Sequence, residues 1–246
     1  MSQTLAPATD RYVAAEGVRF HLWRSDPAAP SSATPTLLLH GVPQTAVMWR
    51  DVLPVLAADR VVLAPDLKGL GDSEVRGPYD VPTLAGELAA LVLHEVDGQV
   101  DIVGHDWGGV LALAIARLRP DLVRRLVIIN APYRDLKWHR APHIAGFALP
   151  AAPEAVFRLS GERVIRTMLR TGWRSEPALP DDIADHYAAA YAEPHRTAAM
   201  LGYYRAFARP AAARALRGAR RRRPATKARA PISVQRSLVL WGAADP

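Results

Sequence analysis

The feature that most constrains this chain is an alternation of short, continuously apolar segments with longer segments of helical periodicity in its first 132 residues. The apolar segments are TLLLHG, RVVLAPD, VDIVGH and RRLVIINA, and the helical ones include PTLAGELAALVLHEV and WGGVLALAIARLR. A strand that is apolar on both faces is typical of a parallel sheet covered by helices on each side. The alternation therefore predicts an α/β fold with a mostly parallel sheet.

Two further elements follow from local patterns in the same region. Alternating residues on either side of Glu16-Gly17 predict an N-terminal β-hairpin with this pair as its turn. The segment 45–58, TAVMWRDVLPVLAA, has helical spacing. We expect Pro54 to bend that helix, because proline disrupts the hydrogen bonding of a helix interior.

The alternation stops after Pro132. The next hundred residues are rich in Ala, Arg and Pro and have mostly helical patterns, and a strand-like run, RSLVLW, then returns near the end. An inserted helical subdomain between two strands of one sheet explains this order. We therefore predict three segments: 1–132 and 232–246 form the core, and 133–231 forms a helical cap with an Arg-rich connection.

The charge and composition exclude several classes of protein. The formal net charge is +7, but residues 205–229 hold nine Arg, one Lys and no acid, so removing those ten charges from +7 leaves −3. The favoured interpretation is a solvated surface connection, and a nucleic-acid or anionic-surface patch is the alternative. Because aromatic residues are not interleaved with these charges and no recognition motif accompanies them, no nucleic-acid partner is expected. The chain has no cysteine for a disulfide or thiolate metal site. It also has no secretory leader and no apolar run of about 18 residues, so a cytoplasmic protein without membrane contact is expected.

The stretch VGHDWGGV places Asp106 between a predicted strand and a predicted helix, in a turn rich in small residues. Such a turn presents a side chain at the carboxyl end of the sheet, where α/β proteins bind ligands. An ionised carboxylate at a helix N-terminus can attack an electrophilic carbon and form an ester. The position also suits an Asp that caps the helix, and the two interpretations stay open at this point.

The stretch LLLHGVPQ, which also follows a buried strand, adds a second element of a site. Its turn can direct the backbone N–H of Val42 toward the same point as the N–H of Trp107, and two such donors stabilise an oxyanion. His40 is interpreted as a structural residue that fixes the turn. A third stretch, PDLKGLGDS, is interpreted as a structural turn, since its spacing does not match a phosphate-binding loop.

Together HGVPQ, PDLKGLGDS, VGHDWGG and LVLWGAADP resemble the α/β-hydrolase fold family, specifically its Asp-nucleophile branch of epoxide hydrolases and haloalkane dehalogenases. The resemblance implies that Asp106 is the nucleophile and that the Val42 and Trp107 amides form the oxyanion hole. It implies that Asp245 is the acid that orients a catalytic His. The motif residues are His40, Gly41 and Pro43, and the bond before Pro43 is expected to be cis.

Epoxide hydrolases also use two cap tyrosines that donate protons to the epoxide oxygen. The segment LGYYRAF resembles the family segment in which a Tyr precedes an Arg, so the resemblance makes Tyr204 one of these donors. The second tyrosine and the remaining substrate contacts stay open, and the residues considered for them are Trp107, Tyr133, Tyr187 and Tyr191. The expected ligand is a small apolar epoxide, with no cofactor and no metal.

Two alternatives stay open, a haloalkane dehalogenase-like hydrolase and a non-catalytic protein that binds apolar ligands. Dehalogenases hold the halide with side-chain donors, which the side chain of Val42 cannot supply, and this favours epoxide opening. The oligomeric state is left open.

The family's catalytic His follows one more strand beyond the acid, and none of the eight histidines occupies that place; four of them fall in the cap segment, at His139, His143, His186 and His195. We therefore expect a C-terminally truncated member that lacks the last strand, the His loop and the last helix. Such a chain would form the alkyl ester on Asp106 and turn it over poorly. It would also leave SLVLW as an exposed edge strand.

Overall fold

The computed structural model describes residues 8–132, 142–173, 178–218, 234 and 236–242. The chain forms seven strands: β1 Thr9–Ala15, β2 Val18–Ser25, β3 Thr36–Leu39, β4 Val62–Pro65, β5 Val100–His105, β6 Val123–Ile129 and β7 Arg236–Leu240. Its helices are a 3₁₀-helix at Ala46–Trp49 and α1 Leu53–Leu56, α2 Val81–Glu95, α3 Trp107–Leu118, α4 Pro142–Ala148, α5 Ala152–Gly172, α6 Asp181–Ala190 and α7 Pro194–Gly218.

All seven strands form one sheet in the order β1-β2-β4-β3-β5-β6-β7. The β1–β2 and β2–β4 pairs are antiparallel, and the other four pairs are parallel. The predicted α/β fold with a mostly parallel sheet is therefore confirmed. The predicted hairpin is also confirmed, since Glu16 and Gly17 connect β1 to β2 with φ of 48° and 72°.

The strands β3 and β4 are buried on both faces, as their continuous apolar runs predict. Leu37 and Leu39 of β3 join a large cluster that includes residues of α2 and α3. Leu38, which points the other way because strand side chains alternate, packs with Trp49 and Leu53 in a second cluster. Helices on both faces of the sheet are therefore required to bury this core.

The prediction of one bent helix over 45–58 is wrong. The structure has a 3₁₀-helix capped by Thr45, whose side chain accepts from the Val47 N–H, and then the separate short helix α1. Pro54 lies in the first turn of α1 instead of inside a longer helix. Proline is tolerated there because N–H groups of the first turn have no partner within the helix.

The helices α4 to α7 fall in the segment predicted to form the cap; α7 packs on α4, α5 and α2, and α5 packs on α6. The Arg-rich residues 219–233 lie outside the described residues, and the division into core and cap stays a prediction. Where the structure describes the chain, no helix combines the length and apolar character needed to cross a membrane.

The strand β7 lies at the edge of the sheet, beside β6. All five of its residues are exposed, and the exposed fractions of Leu238, Val239 and Leu240 are 51%, 39% and 44%. The prediction that this apolar strand is an exposed edge is confirmed.

Candidate active site

The order of the strands creates a crevice at the carboxyl ends of β3 and β5. These strands are neighbours, and β4 and β5 lie on opposite sides of β3, so the chain leaves β3 and β5 in different directions. Open α/β sheets bind ligands at such switch points. Residues 40–44 follow β3 and Asp106 follows β5, so the topology brings together the two stretches selected from the sequence.

Asp106 connects β5 to α3 in a backbone conformation that is unfavourable for a residue with a side chain. Its φ is 49° and its ψ is −118°. The conformation is fixed by its neighbours, because the Asp106 N–H donates to Ile129 O at 3.0 Å and its carbonyl accepts from the Val110 N–H at 3.1 Å. Strained backbone of this kind persists where the surroundings determine it, and it concentrates at functional sites.

Two glycines make this sharp turn possible. A Cβ atom on Gly104 would lie 2.4 Å from the carbonyl oxygen of Gly108, and one on Gly108 would lie 2.2 Å from that of Leu39. Both distances are far below a van der Waals contact, and both clashes are with backbone atoms that cannot rotate away. Strands β3 and β5 and the start of α3 therefore approach one another as closely as they do only with glycine at these positions.

The carboxylate of Asp106 points toward the β3 loop. It makes no capping hydrogen bond to α3, and its Oδ2 accepts from the backbone N–H of Val42 at 2.9 Å. A Cβ on Gly41 would lie 2.6 Å from that of Asp106. Of the two interpretations open in the sequence, side-chain capping is therefore excluded. Trp107, the first residue of α3, has an N–H without an acceptor inside the helix, as every first-turn residue does.

The β3 loop is held by His40, which is fully buried. Burial lowers the pKa of His40, so its imidazole is neutral. Its Nε2 accepts from the Leu67 N–H at 2.9 Å, and its Nδ1 therefore carries the proton and donates to Gly41 O at 2.8 Å. The Val42–Pro43 bond is cis, as expected from the motif.

A network of polar side chains centred on Asp66 is hydrogen-bonded to the backbone just after the same loop. Asp66 is buried, its Oδ1 accepts from the Ala46 N–H at 2.7 Å, and its Oδ2 accepts from the Asp72 N–H at 2.9 Å and faces His21 Nδ1 at 2.8 Å. His21 Nε2 lies 2.5 Å from an oxygen of Asp10. Burial alone would lower the pKa of His21, but hydrogen bonds and charges from the two carboxylates outweigh it and raise this pKa to about 9.

Within the described ranges, His21, Asp66 and Asp72 are also the one group whose ligand atoms lie close enough for a metal ion. The Asp66 oxygens already accept hydrogen bonds from backbone N–H groups, and protonated His21 donates to Asp66 instead of offering a lone pair. The donor set therefore fits a hydrogen-bond network better than a metal centre.

Aromatic side chains of α4 and α7 pack around Trp107, the residue after Asp106. The ring of Trp107 makes edge-on contacts with Tyr203, Tyr204 and Phe207 of α7, at centroid distances of 5.3, 5.3 and 5.5 Å. Phe147 of α4 contacts Tyr204 at 5.1 Å. Apolar surroundings of this kind suit an apolar ligand, and edge-on pairs hold the rings in defined orientations. Phe147, Tyr203 and Phe207 were missed in the sequence, although the α7 residues share one helix face with Tyr204 by their spacing.

Tyr204 is buried against the ring of Trp107, the residue that follows Asp106. Burial, together with the negative charge of Asp106, raises the pKa of Tyr204 far above its ordinary value, and a side-chain hydrogen bond with Trp107 lowers it only in part. The indole of Trp107 can only donate, so the Tyr204 oxygen is the acceptor of this bond.

The other predicted tyrosines differ from Tyr204. Tyr191 is buried, and its hydroxyl donates to Gln44 O at 3.1 Å. Tyr187 is buried nearby, and burial raises the pKa of both. The charges of Asp66 and Asp106 add to the effect of burial on Tyr191, whereas for Tyr187 the charge of Arg50 partly opposes it.

Tyr133 and Asp245 lie outside the described residues. The roles that the sequence suggested for them stay predictions.

A residue that the sequence did not select is Gln44, which links the two loops of the site. Its side-chain oxygen lies 2.9 Å from Nδ1 of His105, the residue before Asp106. Its carbonyl receives the hydrogen bond of Tyr191. Only the folded arrangement shows this role, since Gln44 and Tyr191 are 147 residues apart.

The fold, the strained turn at Asp106 and the crevice at β3 and β5 define a class of protein. The sequence model of the family described as the alpha/beta hydrolase fold matches residues 34–246. Because this match covers most of the sequence, the chain belongs to the alpha/beta hydrolase fold family.

Two curated relatives and one solved structure show which members of the family this chain is similar to. The AB hydrolase superfamily protein YfhM of Bacillus subtilis is 32% identical over 186 residues, 69% of this chain and 64% of that protein. The soluble epoxide hydrolase of Corynebacterium sp. strain C12 is 46% identical over 101 residues, 40% of this chain and 35% of that protein. The structure of epoxide hydrolase CorEH superposes with a TM-score of 0.72 at 28% identity, over 81% of this chain and 74% of that one. The matched part of the chain therefore spans between about a third and two thirds of the length of these two curated relatives. The chain resembles epoxide hydrolases.

Proposed function

We propose that this chain opens small apolar epoxides by attack of Asp106 on a ring carbon, with formation of a covalent alkyl ester. The observation that carries the proposal is the Asp106 carboxylate, which does not cap its helix and is held by the Val42 N–H in the crevice between β3 and β5. The similarity to epoxide hydrolases supports the substrate class.

The two carboxylate oxygens of Asp106 would have different tasks. Oδ2 is oriented by the Val42 N–H at 2.9 Å, and Oδ1 is the atom proposed to attack. A fixed orientation of the reacting atom removes part of the entropic cost of the reaction. The Val42 N–H, with the Trp107 N–H proposed as its partner, would later stabilise the oxyanion that forms when water adds to the ester.

The epoxide oxygen needs a proton as its bond to carbon breaks. Tyr204 is proposed to supply it, because its buried hydroxyl feels the charge of Asp106 and its ring packs against Trp107, the next residue along the chain. In this step the Oδ1–C bond forms, the C–O bond of the ring breaks, and the phenolic proton moves to the departing oxygen. Tyr191 is a poorer candidate, because its proton is engaged by Gln44 O.

The same contacts favour epoxide opening over halide release. A departing halide must be held by N–H donors at the site, and the side chain of Val42 offers none. A proton donor is therefore better placed at this site than a halide cradle.

Hydrolysis of the ester requires a base that activates water, and Asp245 is proposed, by resemblance, to orient it. No histidine follows Asp245 in the 246 residues. A protein made of these residues alone is therefore expected to accumulate the alkyl ester. A longer chain that carries the histidine would complete the cycle.

Mass spectrometry tests the proposal on the 246-residue chain. Incubation with styrene oxide should add one equivalent of covalent mass, and peptide mapping should locate it on Asp106. Asp106→Asn should reduce the adduct to background, because a neutral amide is a much weaker nucleophile than a carboxylate.

Three results would contradict the proposal. A folded sample without adduct would exclude an active nucleophile. Faster release of chloride from 1-chlorobutane than reaction with the epoxide would indicate a dehalogenase. Tight binding of the epoxide without adduct, unchanged in Asp106→Asn, would indicate a protein that only binds apolar ligands.

A further inference from the structure

The first half of α5 exposes an apolar face to water. The residues of this face are all exposed and follow the i, i+3, i+4, i+7 spacing of one side of a helix: Ala152, Ala155, Val156 and Leu159. The exposed fractions of Val156 and Leu159 are 52% and 84%. Surface helices normally present polar side chains to water, so these four residues, which we call the α5 stripe, have the character of a binding face.

The opposite face of the same half-helix packs inward, toward the candidate site. Pro153 and Phe157 are buried there. The ring of Phe157 contacts Phe147 at 6.0 Å, and Phe147 contacts Tyr204 at 5.1 Å in the aromatic cover around Trp107. The inward face alone therefore attaches this part of α5 to the cap. The α5 stripe lies on the far side of the helix, about 10 Å away across its diameter.

Positive side chains border the α5 stripe. In the described part of the chain, the exposed charged side chains of α5 without an ion pair are Arg158, Glu162, Arg163 and Arg170. Three of these four are cations, and Arg158 and Arg163 lie within about one turn of Leu159. The other charged residues of α5 are neutralised in two ion pairs, Arg166 with Asp185 and Glu154 with Arg205.

We propose that the α5 stripe and the arginines at its border dock on the surface of an anionic lipid bilayer. Aliphatic side chains of such a helix enter the boundary between headgroups and acyl chains, and neighbouring arginines attract acidic headgroups. A protein partner is less favoured, because the stripe has no aromatic side chain and protein interfaces rely on aromatic anchors.

This docking needs no helix that crosses the membrane, because an interfacial helix lies in the plane of the surface. The finding that no described helix can cross a membrane therefore does not bear on it. The expectation from the sequence of no membrane contact considered spanning segments alone. Docking would bring the aromatic cover within about one helix diameter of the phase in which apolar epoxides dissolve. The inference goes beyond the proposed function and is independent of it, since lipid binding requires no reaction at Asp106.

Sedimentation of the 246-residue chain with vesicles of phosphatidylcholine, with and without phosphatidylserine, tests the proposal. The wild type should bind the phosphatidylserine vesicles more tightly, and added salt should weaken this binding. Val156→Gln/Leu159→Gln should bind them about tenfold more weakly or worse, because this double variant loses apolar contact but no charge. Arg158→Gln/Arg163→Gln should lose about fivefold per arginine on these vesicles and little on pure phosphatidylcholine.

The controls separate the α5 stripe from other sources of lipid binding. Residues 205–229 hold nine Arg, one Lys and no acid, and these charges attract anionic lipid without apolar contact. Leu93→Gln, at a side chain of α2 that is 46% exposed, should bind as the wild type does. Unchanged unfolding midpoints would show that all variants are folded. Asp106→Asn should also bind as the wild type does, so failure of the adduct experiment would leave this proposal standing.

Three results would overturn the proposal. The first is a wild type that binds neither kind of vesicle. The second is equal binding by the wild type and Val156→Gln/Leu159→Gln, which would assign the binding to the charges of residues 205–229. The third is a wild-type dimer in light scattering that the same double variant converts to a monomer, without vesicle binding, which would show that a second copy covers the stripe.

Discussion

The core side and the cap side of the site are built by different kinds of contact. On the core side, backbone approaches backbone, so that a methyl group on Gly104 or Gly108 would lie within 2.4 Å of a carbonyl oxygen. On the cap side, aromatic rings meet at centroid distances of 5 to 6 Å, and a methyl group on Gly146 of α4 would meet nothing within 4 Å. The difference indicates that the core side fixes the position of Asp106, whereas the packing of α4 and α7 tolerates change.

The largest expected loss of stability comes from a substitution on the core side of the site. Gly108→Ala should cost about 4 kcal/mol of folding free energy or more, because the new methyl group overlaps the Leu39 carbonyl and only a shift of the backbone can relieve it. The matched variant Gly146→Ala should be neutral or up to about 1 kcal/mol more stable, because alanine favours a helix over glycine. Urea unfolding of both variants measures the contrast. Equal losses in the two variants would show that the sides do not differ.

The second prediction concerns the polar network under the core side. The pKa of His21 is about 9 in the folded chain against an ordinary value of 6.5, so its stabilising contribution is complete below pH 6.5 and is lost as the pH rises through 9. We expect a loss of about 1–2 kcal/mol, less than the full shift implies, because Asp10 at one end of the ring is largely exposed and screened.

Unfolding free energies at pH 6.5 and 9.5 measure this contribution. His21→Gln is the control, since it should remove the extra loss at high pH while leaving the other titrating groups in place. A wild-type loss no larger than that of His21→Gln would contradict the assigned network.

The smallest expected effect concerns the contact between the two sides. Tyr191→Phe removes the hydrogen bond from α6–α7 to Gln44 O but keeps the buried ring, so it should cost about 1 kcal/mol. Tyr12→Phe, at a tyrosine that is 51% exposed, should change the unfolding free energy by less than about 0.5 kcal/mol. An effect of Tyr191→Phe as small as that of Tyr12→Phe would mean that this bond does not hold the cap to the core.

The residues that could be assigned from the sequence are those whose role depends on near neighbours. Apolar runs placed β3 to β6, and the glycines around Asp106 predicted its sharp turn, because both signals act over a few residues. Pro54 was misassigned for the same reason, since the helical spacing around it does not reveal where one short helix ends and the next begins. The aromatic cover was largely missed, because it joins α4 and α7 to the turn at Asp106.

By itself the sequence determined the α/β architecture, the position of Asp106 after β5 and the family to which the chain belongs. Only the tertiary structure decided that the Asp106 carboxylate turns to the Val42 N–H instead of capping α3, and that the hydroxyl of Tyr191 donates to Gln44 O. The physical reason is distance along the chain. Backbone conformation responds to adjacent residues, but the direction of a side chain and the partner of its proton are set by groups 60 to 150 residues away.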